Sequence, residues 1–91
     1  MAILKQFTAS IGPGQVQRWT VWGAPYNLFI QWSVRPTLTG FNLGTVQLES
    51  VDVQSPVEGG NQQGPLSYIL TVRNTGGYPV SFDAYFSEES F

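Results

Sequence analysis

Side chains that carry out acid–base or nucleophilic chemistry are scarce in this sequence. Its 91 residues contain four Lys or Arg and six Asp or Glu, with no His and no Cys. Hydrolysis by paired carboxylates needs two acids roughly 5 to 9.5 Å apart, and the sequence neighbours Glu49 and Asp52 are more simply explained as solvent-facing strand positions. A serine nucleophile without His would need Lys5 as its base. We therefore expect no enzymatic activity.

Ligand sets for metals and cofactors are not found in the pattern either. Glu58 is the only acid in the glycine-rich stretch 55–64, and one carboxylate among loop carbonyls makes a weak calcium site at best. Gly12-Pro13-Gly14 and Gly59-Gly60 are not followed by a helical pattern whose first turn would hold a phosphate. Both indicate turns, and we expect no metal and no cofactor.

Charge and hydropathy argue against two classes of partner. The net charge of −2 opposes binding to nucleic acid, which needs a basic surface. No apolar stretch approaches the roughly 20 residues that cross a bilayer, and the start of the chain lacks the apolar core of a secretory signal. These features predict no membrane insertion, and a protein that is cytoplasmic or released by a non-classical route.

The low charge content predicts self-association. Charged residues are only 11% of the chain, against about 25% in ordinary soluble domains. Solubility must then rest on Ser, Thr, Asn, Gln and Gly, or on contacts that cover apolar surface. A small open sheet also leaves strand edges unpaired, and a second copy is one way to cover them. We therefore expect a homo-oligomer.

Alternation of apolar and polar residues predicts strands throughout, because turn residues interrupt the chain at short intervals and no helical period occurs. About six strands are expected: Ile3–Ile11, Gln15–Trp22, Tyr26–Arg35, Leu43–Val53, Leu66–Asn74 and Tyr78–Phe86. Pro36 should end the third strand, because proline has no N–H to donate, and 87–91 should be an acidic tail. The pattern is typical of a single all-β domain, residues 1–91, folded as an antiparallel β-sandwich that is immunoglobulin-like or jelly-roll-like.

The phase of the alternation assigns one face of each strand to the core. In the fourth strand the phase slips between Leu48 and Val51, which indicates a β-bulge near Glu49-Ser50 or a strand that bends between the sheets. The segment Asn74-Thr75-Gly76-Gly77 tolerates positive φ and predicts a hairpin. Fourteen residues should form the core: Phe7, Ile11, Trp19, Val21, Leu28, Ile30, Trp32, Val34, Val46, Leu48, Leu70, Val72, Val80 and Phe82.

The outward positions of strands two and three are the best candidate for a binding surface. If Gly23-Ala24-Pro25 joins these strands as an antiparallel pair, one patch gathers aromatic, guanidinium, amide and hydroxyl groups. A sugar needs such a mixture, and a protein interface is also enriched in Trp, Phe and Arg. Alternatively, Trp22 packs at the edge of the sandwich and Phe29 is a lone exposed aromatic. The expected ligand-binding residues are Arg18, Trp22, Asn27, Phe29, Gln31 and Arg35.

Two segments resemble small bacterial modules. Ser67 to Phe86, SYILTVRNTGGYPVSFDAYF, resembles the last hairpin of immunoglobulin-like modules of the CARDB type, and Phe7 to Trp19, FTASIGPGQVQRW, is similar to the start of bacterial pre-peptidase C-terminal domains. Both resemblances imply a β-sandwich with an accessory or binding role, and neither carries functional residues over. We expect a lectin-like module that binds a glycan with avidity from self-association. The alternative is a structural, self-assembling or protein–protein interaction subunit without a small-molecule ligand.

Overall fold

The computed structural model describes residues 3–24, 28–37, 44–54 and 66–90. These residues form six β-strands and no helix. The strands are β1 (Ile3–Ile11), β2 (Val16–Ala24), β3 (Leu28–Pro36), β4 (Val46–Gln54), β5 (Leu66–Asn74) and β6 (Val80–Ser90). The predicted bounds of β1 and β5 are confirmed, and the described bounds of β2 and β6 differ from the prediction by a few residues. The predicted starts of the third and fourth strands, Tyr26 and Leu43, lie outside the described residues.

The strands form two antiparallel three-stranded sheets, so the predicted all-β sandwich is confirmed. Sheet A has the order β1-β6-β3, and sheet B has the order β2-β5-β4. The first strand therefore pairs with the last and the second with the fifth, which is the pairing of a jelly roll. An immunoglobulin-like order would instead place the first two strands in one sheet.

Two predicted hairpins are wrong, because the chain crosses between the sheets at these points. β2 and β3 lie in different sheets, and so do β5 and β6. Turn residues predict that the chain reverses, but they do not distinguish a return along the same sheet from a crossing to the facing sheet. The apolar faces are the same in both cases, since a strand of either sheet turns its apolar side to the core.

The β-bulge predicted in β4 is confirmed. The register with β5 shifts at Glu49, which is the extra residue. In a regular strand Leu48 and Val51 would point to opposite faces, since they are three positions apart. The bulge brings both onto the inner face, where Leu48 lies opposite Val72 and Val51 lies opposite Leu70.

Two further bulges, which the alternation did not predict, lie in β1 and β2. In β1 the register shifts between Lys5 and Phe7, so Phe7 packs against the core while Lys5 lies on the outer face. In β2 the shift follows Val21 and includes Gly23, whose φ of 76° is a left-handed conformation that favours glycine. β2 therefore continues to Ala24, where a turn was expected.

Aromatic rings link the two sheets at two places. Trp32 of sheet A and Tyr68 of sheet B have ring centroids 5.8 Å apart, and a second cluster surrounds Trp19. Trp19 of sheet B stacks on Phe7 with ring centroids 5.9 Å apart, and it meets Phe82 edge-to-face at 5.3 Å. Phe7 and Phe82 belong to sheet A, so this cluster spans the interior. All fourteen predicted core residues are buried or packed against buried residues, and Tyr68 and Ala84 add to them.

Two strand ends differ from expectation. The acidic segment predicted as a tail instead continues β6 to Ser90, where it pairs with the start of β3. Pro36 remains within β3, opposite Phe82. β3 is an edge strand of sheet A, and an edge strand tolerates a residue without an N–H on its open side.

Asn74 is fully buried, and its amide ties three segments together. Its Nδ2 donates to the carbonyl oxygens of Ile11 at 3.1 Å and Tyr78 at 2.7 Å, and its Oδ1 accepts from the N–H of Gly76 at 2.8 Å. These bonds satisfy backbone groups at the end of β1 and in the crossing from β5 to β6. The residue thus shapes this connection through its side chain.

Candidate functional site

The predicted ligand-binding residues are divided between the two sheets. Two belong to β2 of sheet B, Arg18 and Trp22, and three belong to β3 of sheet A, Phe29, Gln31 and Arg35. All five are exposed, so the predicted facing of both strands is confirmed. The pairing expected to unite them is wrong, and Asn27 lies outside the described residues. Their role in binding stays a prediction.

The outer face of sheet A is polar. Residues directly opposite each other in an antiparallel pair point to the same side, so the register defines the members of this face. Tyr85 of the central strand β6 lies between Lys5 of β1 and Ser33 of β3. In the next row Asp83 lies opposite Arg35. The central strand thus supplies functional groups that β3 alone does not have.

A shallow groove runs along this face beside β3. It consists of two adjoining depressions of about 220 Å³ and about 260 Å³, which share Ile3 and Ser33. We call the two together the sheet A groove. Its outward-pointing residues are Ile3, Gln31, Ser33, Arg35, Tyr85 and Ser87. One concave surface therefore offers an amide, a guanidinium and three hydroxyls.

Asp83 lies beside the groove and is only 6% exposed. Its Oδ1 accepts hydrogen bonds from the hydroxyls of Thr8 at 2.6 Å and Thr37 at 3.3 Å, and its Oδ2 accepts from the Tyr85 hydroxyl at 3.4 Å. The Thr8 bond contributes most to lowering the pKa of Asp83 below the ordinary 3.8; the charge of Lys5 and the other two hydroxyls add to it, against the effect of burial. The ionised carboxylate therefore holds hydroxyls from three neighbouring segments.

The guanidinium of Arg35 lies over the ring of Tyr85. Its Cζ is 5.4 Å from the ring centroid, a cation–π distance. Among the residues that the structure describes, no carboxylate lies within salt-bridge distance of Arg35. Because the side chain is exposed, its N–H donors are open to a ligand.

The outer face of sheet B carries an ion pair. Arg73 Nε donates to Glu49 Oε2 at 2.5 Å, and this hydrogen bond lowers the pKa of Glu49 and raises that of Arg73. Arg18 lies on the same face, opposite Thr71. Trp22 is 74% exposed at the β2 bulge. Arg18 therefore lies on the side of the sandwich away from Arg35.

An apolar cleft of about 580 Å³ opens between β3 and the strands β4 and β5. Val51 and Val53 line it from the inner face of β4, yet they are 37% and 56% exposed. Phe29 lines the opposite side and is 48% exposed. The two sheets therefore do not fully cover each other along this edge.

Several groups of the sheet A face are absent from the predicted ligand-binding residues, among them Lys5, Asp83 and Tyr85. A signal for the last two exists, because the predicted core positions Val80 and Phe82 place the odd-numbered residues of this strand on the outer face. The alternation does not reveal that β6 is the central strand of sheet A. Strand order depends on pairing between distant segments, so no local pattern brings Asp83 and Arg35 together.

The described residues contain no group of three His, Cys, Asp or Glu side chains able to hold a metal ion. No helix in that part of the chain is long and apolar enough to cross a membrane. Comparison of the chain with protein-family models, with curated proteins and with solved structures gives no significant match. The resemblance to CARDB-type and pre-peptidase modules therefore stays a prediction from two short segments.

Proposed function

We propose that this chain is a non-enzymatic module that binds carbohydrate in the sheet A groove. One observation supports this above all: Gln31, Ser33 and Arg35 lie side by side on β3, and Arg35 has no acidic partner among the described residues. An amide, a hydroxyl and a guanidinium provide donors and acceptors for the adjacent hydroxyls of a sugar. Relative to the sequence prediction, Tyr85 and Ser87 take the places of Arg18 and Trp22.

The groove is also held in position before a ligand arrives. Tyr85 is hydrogen bonded through its hydroxyl to Asp83, and Arg35 rests on the Tyr85 ring. Both side chains belong to strands rather than loops. A site whose side chains are already ordered loses less conformational entropy on binding, which favours recognition of a weakly binding, polar ligand.

A glycan array followed by NMR titration of the hits tests this function. Gln31→Ala should weaken saccharide binding several-fold, because it removes an amide from the groove, whereas Arg18→Gln on the other sheet should bind as the parent does. Chemical-shift changes should concentrate on β3 and β6. Absence of saccharide binding, or binding that is lost in Arg18→Gln and kept in Gln31→Ala, would contradict the proposal.

A structural, self-assembling subunit is the second candidate, and the apolar cleft favours it. Val51 and Val53 have core-facing positions without full cover, and exposed apolar surface of this kind often marks an interface. Sedimentation velocity across a range of concentrations should then show an oligomer that Val53→Asp dissociates. Val16→Asp, which changes an exposed valine on the outer face of sheet B, is the matched control. A monomer at every concentration would contradict this candidate; an oligomer would give the grooves avidity.

A further inference from the structure

The positive charges of this chain differ in how well they are compensated. The sequence has four Lys or Arg, and Arg73 is paired with Glu49. Lys5 and Arg35 both lie on the outer face of sheet A, on the two strands that flank β6. Strands two positions apart in a sheet are separated by roughly 10 Å, so both charges act on the sheet A groove.

Among the described residues, Asp83 forms a salt bridge with neither of these cations. The charge of Lys5 acts on Asp83 and helps to lower its pKa. Arg35 lies opposite Asp83 in the register, yet the oxygens of Asp83 are taken by the hydroxyls of Thr8, Thr37 and Tyr85. The guanidinium lies over the Tyr85 ring instead. Two cations, Lys5 and Arg35, therefore flank the single carboxylate of Asp83 on this face, and among the described residues the Arg35 guanidinium makes no salt bridge.

Charge also varies along the groove. From Arg35 the β3 positions on this face continue through Ser33 and Gln31 to Phe29, which lies opposite Glu89 of β6. Glu89 is exposed, so a negative charge lies on this face beyond the Gln31 end of the groove. A ligand with one anionic group and several hydroxyls therefore fits in one direction, with the anion at Arg35 and the hydroxyls toward Gln31.

We propose that the saccharide bound here carries a carboxylate, as a uronic acid does, and that Arg35 holds this carboxylate. The inference rests on the proposed function and specifies its ligand class. A guanidinium presents parallel N–H donors that match the two oxygens of a carboxylate. The contact with the Tyr85 ring helps to hold this fork in place. Gln31 and Ser33 then contact the sugar hydroxyls.

Isothermal titration with paired ligands tests the inference. Oligogalacturonate, a hyaluronan oligosaccharide and sialyllactose are each compared with their methyl esters, which keep the sugar and lose the charge. We expect at least one acid to bind about tenfold more tightly than its ester, the size of a single charge-assisted contact. Arg35→Gln should abolish that difference, whereas Arg18→Gln should preserve it. Raising NaCl from about 20 mM to about 200 mM should weaken binding of the acid more than that of the ester.

The outcomes separate the inference from the function on which it rests. Equal affinity for the acids and their esters contradicts the inference that the ligand carries a carboxylate, and it leaves the proposal of carbohydrate binding in place. No binding of any saccharide overturns both. If poly-glutamate binds with the same dependence on Arg35, the groove binds an acidic peptide, and the proposal of a saccharide ligand is contradicted. Arg35→Lys keeps the charge and loses the fork, so parent-like affinity in this variant contradicts the bidentate contact. Circular dichroism of each variant confirms that it is folded.

Discussion

Asp83 and Asn74 are buried polar residues that organise this small sandwich in different ways. Both have their hydrogen-bonding atoms satisfied, which is the rule for buried polar groups. Asn74 is neutral and joins backbone segments at the end of the core. Asp83 lies on an outer face, where neighbouring side chains cover it, and it holds the hydroxyls next to the groove. The contribution of Asp83 to stability depends on the charge of its carboxylate, so this contribution should change with pH.

Replacement of Asp83 by Asn should lower the melting temperature at neutral pH, because the hydroxyls of Thr8 and Tyr85 lose a charged acceptor. The fold lowers the pKa of Asp83 below 3.8, so the folded protein binds this proton less readily than the unfolded chain. The stabilisation is complete at pH values above about 3.8 and is lost as the pH falls through the lower pKa of the folded state. The difference between parent and variant should therefore shrink in acid.

Thermal melts from pH 7 down to pH 2 measure this dependence. Asp52→Asn is the control, since it removes the same charge from an exposed side chain on sheet B and should have a smaller effect at neutral pH. A constant difference between the parent and Asp83→Asn at every pH would show that the hydroxyls do not depend on the charge.

At the scale of the strands, local features could be predicted from the sequence and pairing could not. The facing of β2 and β3 and the bulge at Glu49 follow from the order of apolar and polar residues within one strand. Trp22 and Arg35 were both correctly assigned to outer faces. They were wrongly assigned to one patch, because the same local pattern fits a hairpin and a crossing between sheets. To predict the functional groups that β6 contributes to sheet A, one needs the strand order, which the local pattern does not give.

Gly44, just before β4, provides a test of the contact between β4 and β6. A Cβ added there would lie 2.2 Å from Cβ of Val80 and 2.9 Å from its Cα, so the backbone at the start of β6 would have to move. We expect Gly44→Ala to lower the free energy of unfolding by about 1 to 3 kcal/mol, the usual cost of overpacking. Gly77→Ala is the control, because a Cβ at Gly77 meets nothing within 4 Å. Urea denaturation that ranks the two variants equally would contradict this close approach.

At the scale of the whole molecule, the sandwich is closed on one side and open on the other. The rings of Phe7, Trp19 and Phe82 join the sheets on the side of β1 and β2. The cleft lined by Val51 and Val53 lies on the side of β3 and β4. A second aromatic cluster, formed by Trp32, Tyr68 and Phe86, joins the sheets beside this cleft. The packing of the two clusters leaves the outer face of sheet A and the open edge available for binding.

Two tryptophans of β2, one packed between the sheets and one exposed, allow the contribution of this packing to stability to be measured. Trp19→Ala removes one of the rings that connect the sheets and should cost about 3 kcal/mol or more of unfolding free energy, as large-to-small changes of packed aromatics do. Trp22→Ala removes a ring that is 74% exposed and should change stability by less than about 0.5 kcal/mol. Urea denaturation followed by circular dichroism gives both values. Trp22→Ala should still bind saccharide, because the groove is on the other sheet. Loss of binding in this folded variant would indicate that the binding surface lies on sheet B.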